Sequence, residues 1–177
     1  MARIGPHGAW HEALVAGAVA SLVSTVALLA AGRREAGHAF APLNAISHWA
    51  WGPEALGRNR PDLRHTALAY ATHHASSIFW AGLHARLRRR SGKPRGGNGL
   101  LASSAAMAAF ACLADYRFTP RRLRPGFEHR LSRRAIAGVY AAFAVGLALG
   151  VVVAEARPAT ARQKLREVLP VRTAQGR

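Results

Sequence analysis

The sequence is short of cysteine and of acidic residues. Its single cysteine, Cys112, excludes a disulfide within the chain, and the CxxC spacing of thiolate metal sites is absent. Eight residues are Asp or Glu against 25 Lys and Arg, so the formal net charge at pH 7 is +17. Such an imbalance favours anionic partners, and nucleic acid and anionic lipid headgroups are the two main classes.

The apolar residues are not spread evenly along the chain but are gathered into four blocks. The blocks cover residues 9–31, 65–87, 97–116 and 135–155, each near the roughly 20 residues that a helix needs to cross a hydrocarbon core. Basic residues lie between the blocks and none lies deep inside one, whereas a nucleic-acid binder needs them on one continuous surface. We therefore expect an all-α bundle of four transmembrane helices whose arginines meet anionic headgroups rather than nucleic acid.

The segments outside the blocks carry fewer signals. Block one has a longer apolar run than the about 7–15 residues of a signal peptide, which predicts an uncleaved transmembrane helix. Between blocks one and two, Pro42 can start a helix and Gly52 followed by a proline can stop it, so we expect a short interfacial helix over 42–51. Residues 157–177 are expected to form a basic C-terminal tail lying on the membrane.

Block four contains a stripe of small residues, at every fourth position. Gly138, Ala142, Gly146 and Gly150 therefore lie along one side of a helix. Small residues at this spacing let two helix backbones approach closely. The partner is either another helix of the same chain or a second copy in a homo-oligomer.

Block two is the most polar of the four and carries three histidines. At 100° per residue, His73 and His84 differ by only about 20° in direction and share a helix face with Tyr70 and Ser77, while His74 points about 100° away. Ionisable groups inside a membrane span are functional by default. Hydrogen bonds to neighbouring helices and a polar path lined by Tyr70, His73, Ser77 and His84 are the two simplest uses of these residues.

A metal or haem site is a third use of the histidines. One span cannot supply a complete ligand set, so other segments would have to contribute; the candidate ligands are His73, His74, His48, Asp115 and Glu128. Imidazole with carboxylate is a set that zinc, iron or manganese accepts. The chain lacks both the HExxH motif and the repeated histidine boxes of membrane di-iron enzymes. Haem needs one or two histidines, and His73 or His74 would suffice.

The orientation in the membrane is weakly encoded. Basic residues divide almost evenly between the two faces of a four-span bundle, so the positive-inside rule does not separate the alternatives. The run RLRRRSGKPR, residues 86–95, is short, dense and immediately follows a block. On that ground we expect both termini on the cytoplasmic side.

Three phrases, APLNAISHWAWG, THHASSIFWAGL and DYRFTPRRLRPGFEHRLSRRAIAGVYAAFAVGLA, resemble segments of an uncharacterised family of small four-span bacterial inner-membrane proteins. The resemblance would cover most of the chain and implies a location in the bacterial inner membrane, without implying an activity.

Three functional hypotheses follow from these patterns. The first is a non-enzymatic membrane protein whose polar second block assembles the bundle and binds a metal ion or haem. The second is a small transporter or channel-like oligomer. The third is a membrane metalloenzyme that uses the histidines and carboxylates named above. The missing metalloenzyme motifs favour the first hypothesis over the third.

Overall fold

The structure is a computed structural model that describes residues 6–91 and 97–168, with side chains described for 9–91 and 97–156. Within these ranges every regular element is helical and no β-strand occurs, which confirms the all-α prediction. The α-helices are α1 (Pro6–Glu35), α2 (Ala41–Ala45), α3 (His48–Trp51), α4 (Leu68–Ser91), α5 (Gly97–Leu113) and α6 (Arg133–Val168).

Three helical segments are long and apolar enough to cross a membrane. They are Ala9–Glu35, Gly97–Phe118 and Arg133–Ala156, and they correspond to blocks one, three and four. Helix α4 corresponds to block two and has the necessary length, but it is too polar to qualify by composition. The described helices therefore fit a membrane protein with three apolar spans.

Ion pairs and hydrogen bonds at the helix ends show the directions of the helices. Near the start of α1, Glu12 Oε1 accepts a hydrogen bond from Arg88 of α4 at 2.8 Å, and Arg88 also bonds Glu155 of α6 at 3.2 Å. At the other end of α1, Glu35 Oε2 accepts from the backbone N–H of Ser132, just before α6, at 2.6 Å. Helix α1 thus runs antiparallel to α4 and α6, and we call its two ends the Glu12 end and the cap end.

The cap end is covered by two connections that pack on each other. The Trp49 indole N–H donates to the Arg124 carbonyl at 2.7 Å, which ties α3 to the connection between α5 and α6. Gly126 has φ +93°, and a Cβ there would lie 2.5 Å from the Ala45 carbonyl oxygen, so this position requires glycine on two grounds. We call this layer, residues 36–64 with 119–132, the cap.

The structure divides the helix expected over 42–51 into α2 and α3. The Ser47 hydroxyl donates to the Asn44 carbonyl at 2.7 Å, a local bond that competes with helix continuation between the two. All five residues of α2 are buried within the cap, whereas Trp49 and Trp51 of α3 are exposed. The first half of this segment is therefore core rather than surface.

A π-helical turn adjoins each of α4 and α5 at the cap end. Leu63–Ala67 leads into α4, and Asp62 caps it by accepting from the His65 N–H at 2.6 Å. That bond holds the pKa of the Asp62 carboxyl below its usual range. Ala114–Phe118 ends α5. Each π turn adds a residue to the helical repeat and so changes the direction of the side chains beyond it.

Helix α6 extends beyond the span predicted for block four. It stays helical through Pro158 to Val168, where the sequence predicted a separate tail over 157–177. The alanines on both sides of the proline favour continued helix. The side chains from 157 onward and the whole of 169–177 lie outside the described residues.

Close backbone contact joins α6 to α1. A Cβ on Gly146 would lie 2.7 Å from Ala20 Cα, and one on Gly150 would lie 2.5 Å from Ala16 Cα. Both distances are shorter than a Cβ can tolerate, so the two backbones approach closely where glycines of α6 meet alanines of α1. The part of the stripe nearer the Glu12 end thus packs within the chain.

The other half of the stripe lies differently. Gly138 is exposed and has open space at its Cβ position, while Ala142 is partly buried. These two residues leave room for a neighbour outside the chain, and the homo-oligomer stays a prediction.

The glycine contact predicts a large difference between two identical substitutions. Gly150→Ala should lower the thermal stability of the purified protein in mild detergent, by about 1–3 kcal/mol, because the added methyl group forces α1 and α6 apart. Gly138→Ala is the matched control and should be neutral or slightly stabilising, since alanine favours helix there. Equal melting temperatures for the two variants would contradict this packing.

Candidate functional site

A cavity of about 70 Å³ lies between the long helices, directly beneath the cap. Its walls combine hydroxyl, imidazole and carboxyl groups with aromatic rings. The lining residues are Ser24, Ile46, Trp49, Thr72, His73, Ser76, Ser77, Trp80, Ala111, Asp115, Pro125, Phe127, Val139, Tyr140 and Phe143. We call this space the cap cavity.

His73 is held on the wall of the cap cavity by a hydroxyl of α1. Ser24 donates its hydroxyl hydrogen to the Ala20 carbonyl of its own helix at 2.7 Å, so its oxygen is left to accept from His73 Nε2 at 2.9 Å. This assigns the Nε2–H tautomer from the hydrogen-bond network. The other ring nitrogen, Nδ1, then carries a lone pair and is an acceptor.

His74 uses the neighbouring serine of α1. Its Nδ1 lies 2.8 Å from the Ser21 hydroxyl, which is also 3.4 Å from the Tyr70 hydroxyl. The Tyr70 and His74 rings lie 5.6 Å apart between centroids. Two serines of α1, Ser21 and Ser24, therefore bond two consecutive histidines of α4, which fixes the rotation of α4 against α1.

Asp115 lies in the π-helical turn after α5 and meets α6. Its Oδ2 accepts from the Tyr140 hydroxyl at 2.5 Å. A carboxylate can accept about four hydrogen bonds, and this is the one bond from a described residue to the Asp115 side chain. Within the described ranges no arginine lies within ion-pair distance of Asp115. The carboxyl group therefore keeps acceptor capacity on the cavity wall.

The four residues of the predicted polar path do not line one space. His73 and Ser77 line the cap cavity, and Ser77 donates to the His73 carbonyl at 2.8 Å. Tyr70 lines a separate surface depression with Asp62. His84 lies two helical turns beyond Ser77 toward the Glu12 end. Its Nε2 is 3.1 Å from the Ser103 hydroxyl of α5.

The remaining predicted ligands tie the cap together. His48 Nδ1 lies 2.8 Å from the Ala45 carbonyl oxygen, and its Nε2 lies 3.1 Å from the carbonyl oxygen of Arg122. Glu128 Oε2 accepts from the Gly126 backbone N–H at 2.7 Å. Both side chains are thus committed to backbone groups on the cap, away from the histidines of α4.

The predicted metal set His73, His74, His48, Asp115 and Glu128 does not come together. Throughout residues 9–91 and 97–156, no group of three or more His, Cys, Asp or Glu side chains is placed to hold a metal ion. The cap cavity is also far smaller than the roughly 300–1,000 Å³ of pockets for drug-sized ligands and cofactors, so a haem does not fit there. Of the five, His73 and Asp115 line the same cavity, whereas His48 and Glu128 bond backbone groups of the cap and His74 bonds Ser21 of α1.

Two of the most important groups were not predicted from the sequence. Ser24 and Tyr140 bond His73 and Asp115, yet both lie in strongly apolar blocks. The available signal was the pair of hydroxyls at Ser21 and Ser24, three residues apart and so on one face of block one. That pair did not show which residues the two hydroxyls contact, because the rotation of a helix about its axis is decided by packing.

The bond between α1 and α4 can be tested with one hydroxyl. Ser24→Ala should lower the stability of the detergent-solubilised protein by about 0.6–2 kcal/mol, because it removes an interhelical hydrogen bond and leaves His73 Nε2–H without its acceptor. Ser91→Ala, at an exposed hydroxyl bonded within its own helix, should change stability by less than about 0.5 kcal/mol. A Ser24→Ala melting temperature equal to that of Ser91→Ala would show that the bond carries no stability.

Comparisons with known proteins assign no family. No family model matches the chain, and neither a curated protein nor a solved structure is significantly similar to it. What can be said of its function therefore comes from its own residues.

Proposed function

We propose that this chain is a four-span, non-enzymatic membrane protein that binds a small molecule in the cap cavity, with α4 as the fourth span. The observation that carries the proposal is the sorting of polar and apolar residues on α4. Its exposed side at the cap end is a stripe of apolar residues four apart, namely Ala71, Ala75 and Phe79, and Ala67 of the preceding π turn continues the stripe.

The polar side of α4 supports the same orientation. His73 and His74 bond serines of α1, and His84 bonds Ser103 of α5. In lipid an unpaired polar group is costly, so a polar span is tolerated when its polar side is turned into the bundle. Leu63–Ser91 is continuously helical and, at 1.5 Å per residue, is long enough to cross about 30 Å of hydrocarbon.

The setting that fits this arrangement is a bacterial inner membrane. Arginines flank the helices at both ends, where anionic headgroups would meet them. With four spans both termini lie on one side, and the dense basic run after α4 lies on that side too, which favours the cytoplasm.

Binding is favoured over conduction by the core of the bundle. Between the cap cavity and the Glu12 end, the helices are packed with the buried residues Met107, Ala108, Leu147 and Val151. A polar solute entering beneath the cap would meet this apolar layer. The cavity therefore suits a ligand that enters and leaves by the cap end.

The crossing of α4 predicts opposite labelling of its two ends. In a Cys112→Ala background, Glu54→Cys and Ser91→Cys place exposed thiols before and after α4. In sealed vesicles a membrane-impermeant maleimide should label one of them from outside and the other after permeabilisation. Labelling of both from the same side would show that α4 does not cross, and would reduce the protein to three spans.

The cap cavity predicts a second difference in labelling. In the same background, Ser76→Cys lines the cavity and should react with a small polar thiosulfonate, whereas Ser104→Cys, at a fully buried position, should stay protected. Both changes replace a hydroxyl by a thiol of similar size. Protection of both positions would show a closed interior and would remove the binding proposal.

A further inference from the structure

The cap cavity offers more hydrogen-bond acceptor sites than donors. The Asp115 carboxylate uses one of its acceptor sites on Tyr140, and His73 presents Nδ1 as an acceptor once Nε2–H is bonded to Ser24. The hydroxyls of Thr72 and Ser76 also line the space. A ligand that completes this set must bring several donors and should carry positive charge.

The walls of the cavity favour a cation as well. The aromatic residues Trp49, Trp80, Tyr140 and Phe143 line it. A cation held over the face of one such ring gains about 0.5–2 kcal/mol. Aromatic side chains together with a carboxylate on one cavity wall suit a cationic ligand. An anionic ligand would instead meet Asp115 without a compensating cation.

The basic side chains described in residues 9–91 and 97–156 form no ion pair with Asp115. Of the described arginines, Arg124 is placed to interact electrostatically with Tyr116, but its guanidinium is not within ion-pair distance of Asp115 or Glu128. Glu128 lies close enough to Asp115 for the two carboxylates to interact. In a protein with 25 Lys and Arg, a carboxylate left without a cation on a cavity wall is available to a cationic ligand.

Building on the proposed function, we propose that the cap cavity binds a primary ammonium group. Its three N–H donors match the Asp115 carboxylate, His73 Nδ1 and a hydroxyl of Thr72 or Ser76. The cavity, of about 70 Å³, has room for an ammonium with its first methylene groups. The group belongs either to a small free amine or to an aminolipid headgroup that reaches beneath the cap.

Ethanolamine tests the free amine, with tetramethylammonium as a cation that has no N–H donor. Binding is followed by isothermal titration and by tryptophan fluorescence of the full chain in mild detergent at pH 7.5, since Trp49 and Trp80 line the cavity. Ethanolamine should bind saturably and at least tenfold more tightly than tetramethylammonium. Nanodiscs with phosphatidylethanolamine or phosphatidylcholine at equal anionic-lipid content test the headgroup; a fluorescence difference confined to the ethanolamine lipid would identify the lipid as the source.

Three variants separate ligand binding from folding. Asp115→Asn keeps the shape of the side chain, removes its charge and should weaken the binding at least tenfold. Asp62→Asn, a carboxylate outside the cavity whose capping role asparagine can fill, should leave it unchanged. Tyr140→Phe removes the donor that competes for Asp115 and should bind at least as tightly as the wild type.

Two results would overturn the ammonium proposal. One is the absence of both saturable ethanolamine binding and any difference between the two lipids. The other is equal loss of binding in Tyr140→Phe and Asp115→Asn, which would make their pair merely structural. If Ser76→Cys is still labelled in either case, the cavity stands with a ligand of other chemistry; if it is protected, the binding function fails as well.

Discussion

The packing of this protein depends on how a polar helix satisfies its hydrogen bonds among apolar ones. Helix α4 carries three histidines and several hydroxyls, and α1 and α5 supply partners for them through Ser21, Ser24 and Ser103. Away from water these bonds have few substitutes, because an unmade bond costs the full desolvation of the group. They therefore set the rotation of α4, and with it which of its side chains line the cap cavity.

Close approach of the backbones sets the position of α6 against α1. Gly146 and Gly150 meet Ala20 and Ala16 with no room for a larger side chain, so α1 and α6 fit in one register. Helix α1 thus has two different surfaces, small residues against α6 and hydroxyls against α4. Dispersion between close backbones and directional hydrogen bonds together make α1 the centre of the bundle.

The cap explains why the cavity lies at one end. The bonds of His48 to the Arg122 carbonyl and of Trp49 to the Arg124 carbonyl hold two long connections together as a layer over the helices. The π-helical turn containing Asp115 then places a carboxylate under that layer, opposite His73. Polar groups gather here because the helix ends approach water, whereas the apolar core fills the bundle toward the Glu12 end.

Much of the fold was determined by local features of the sequence. The four long helices α1, α4, α5 and α6 and their approximate bounds follow from block length and composition. The N-terminal capping by Asp62 follows from the residue type. All of these act within a few turns of the chain. The tertiary structure decided which side chains meet: Ser24 with His73, Tyr140 with Asp115, and His48 with backbone oxygens instead of a metal. Rotation about a helix axis is set by contacts between distant segments, and one chain's periodicity does not contain the identity of the partner face.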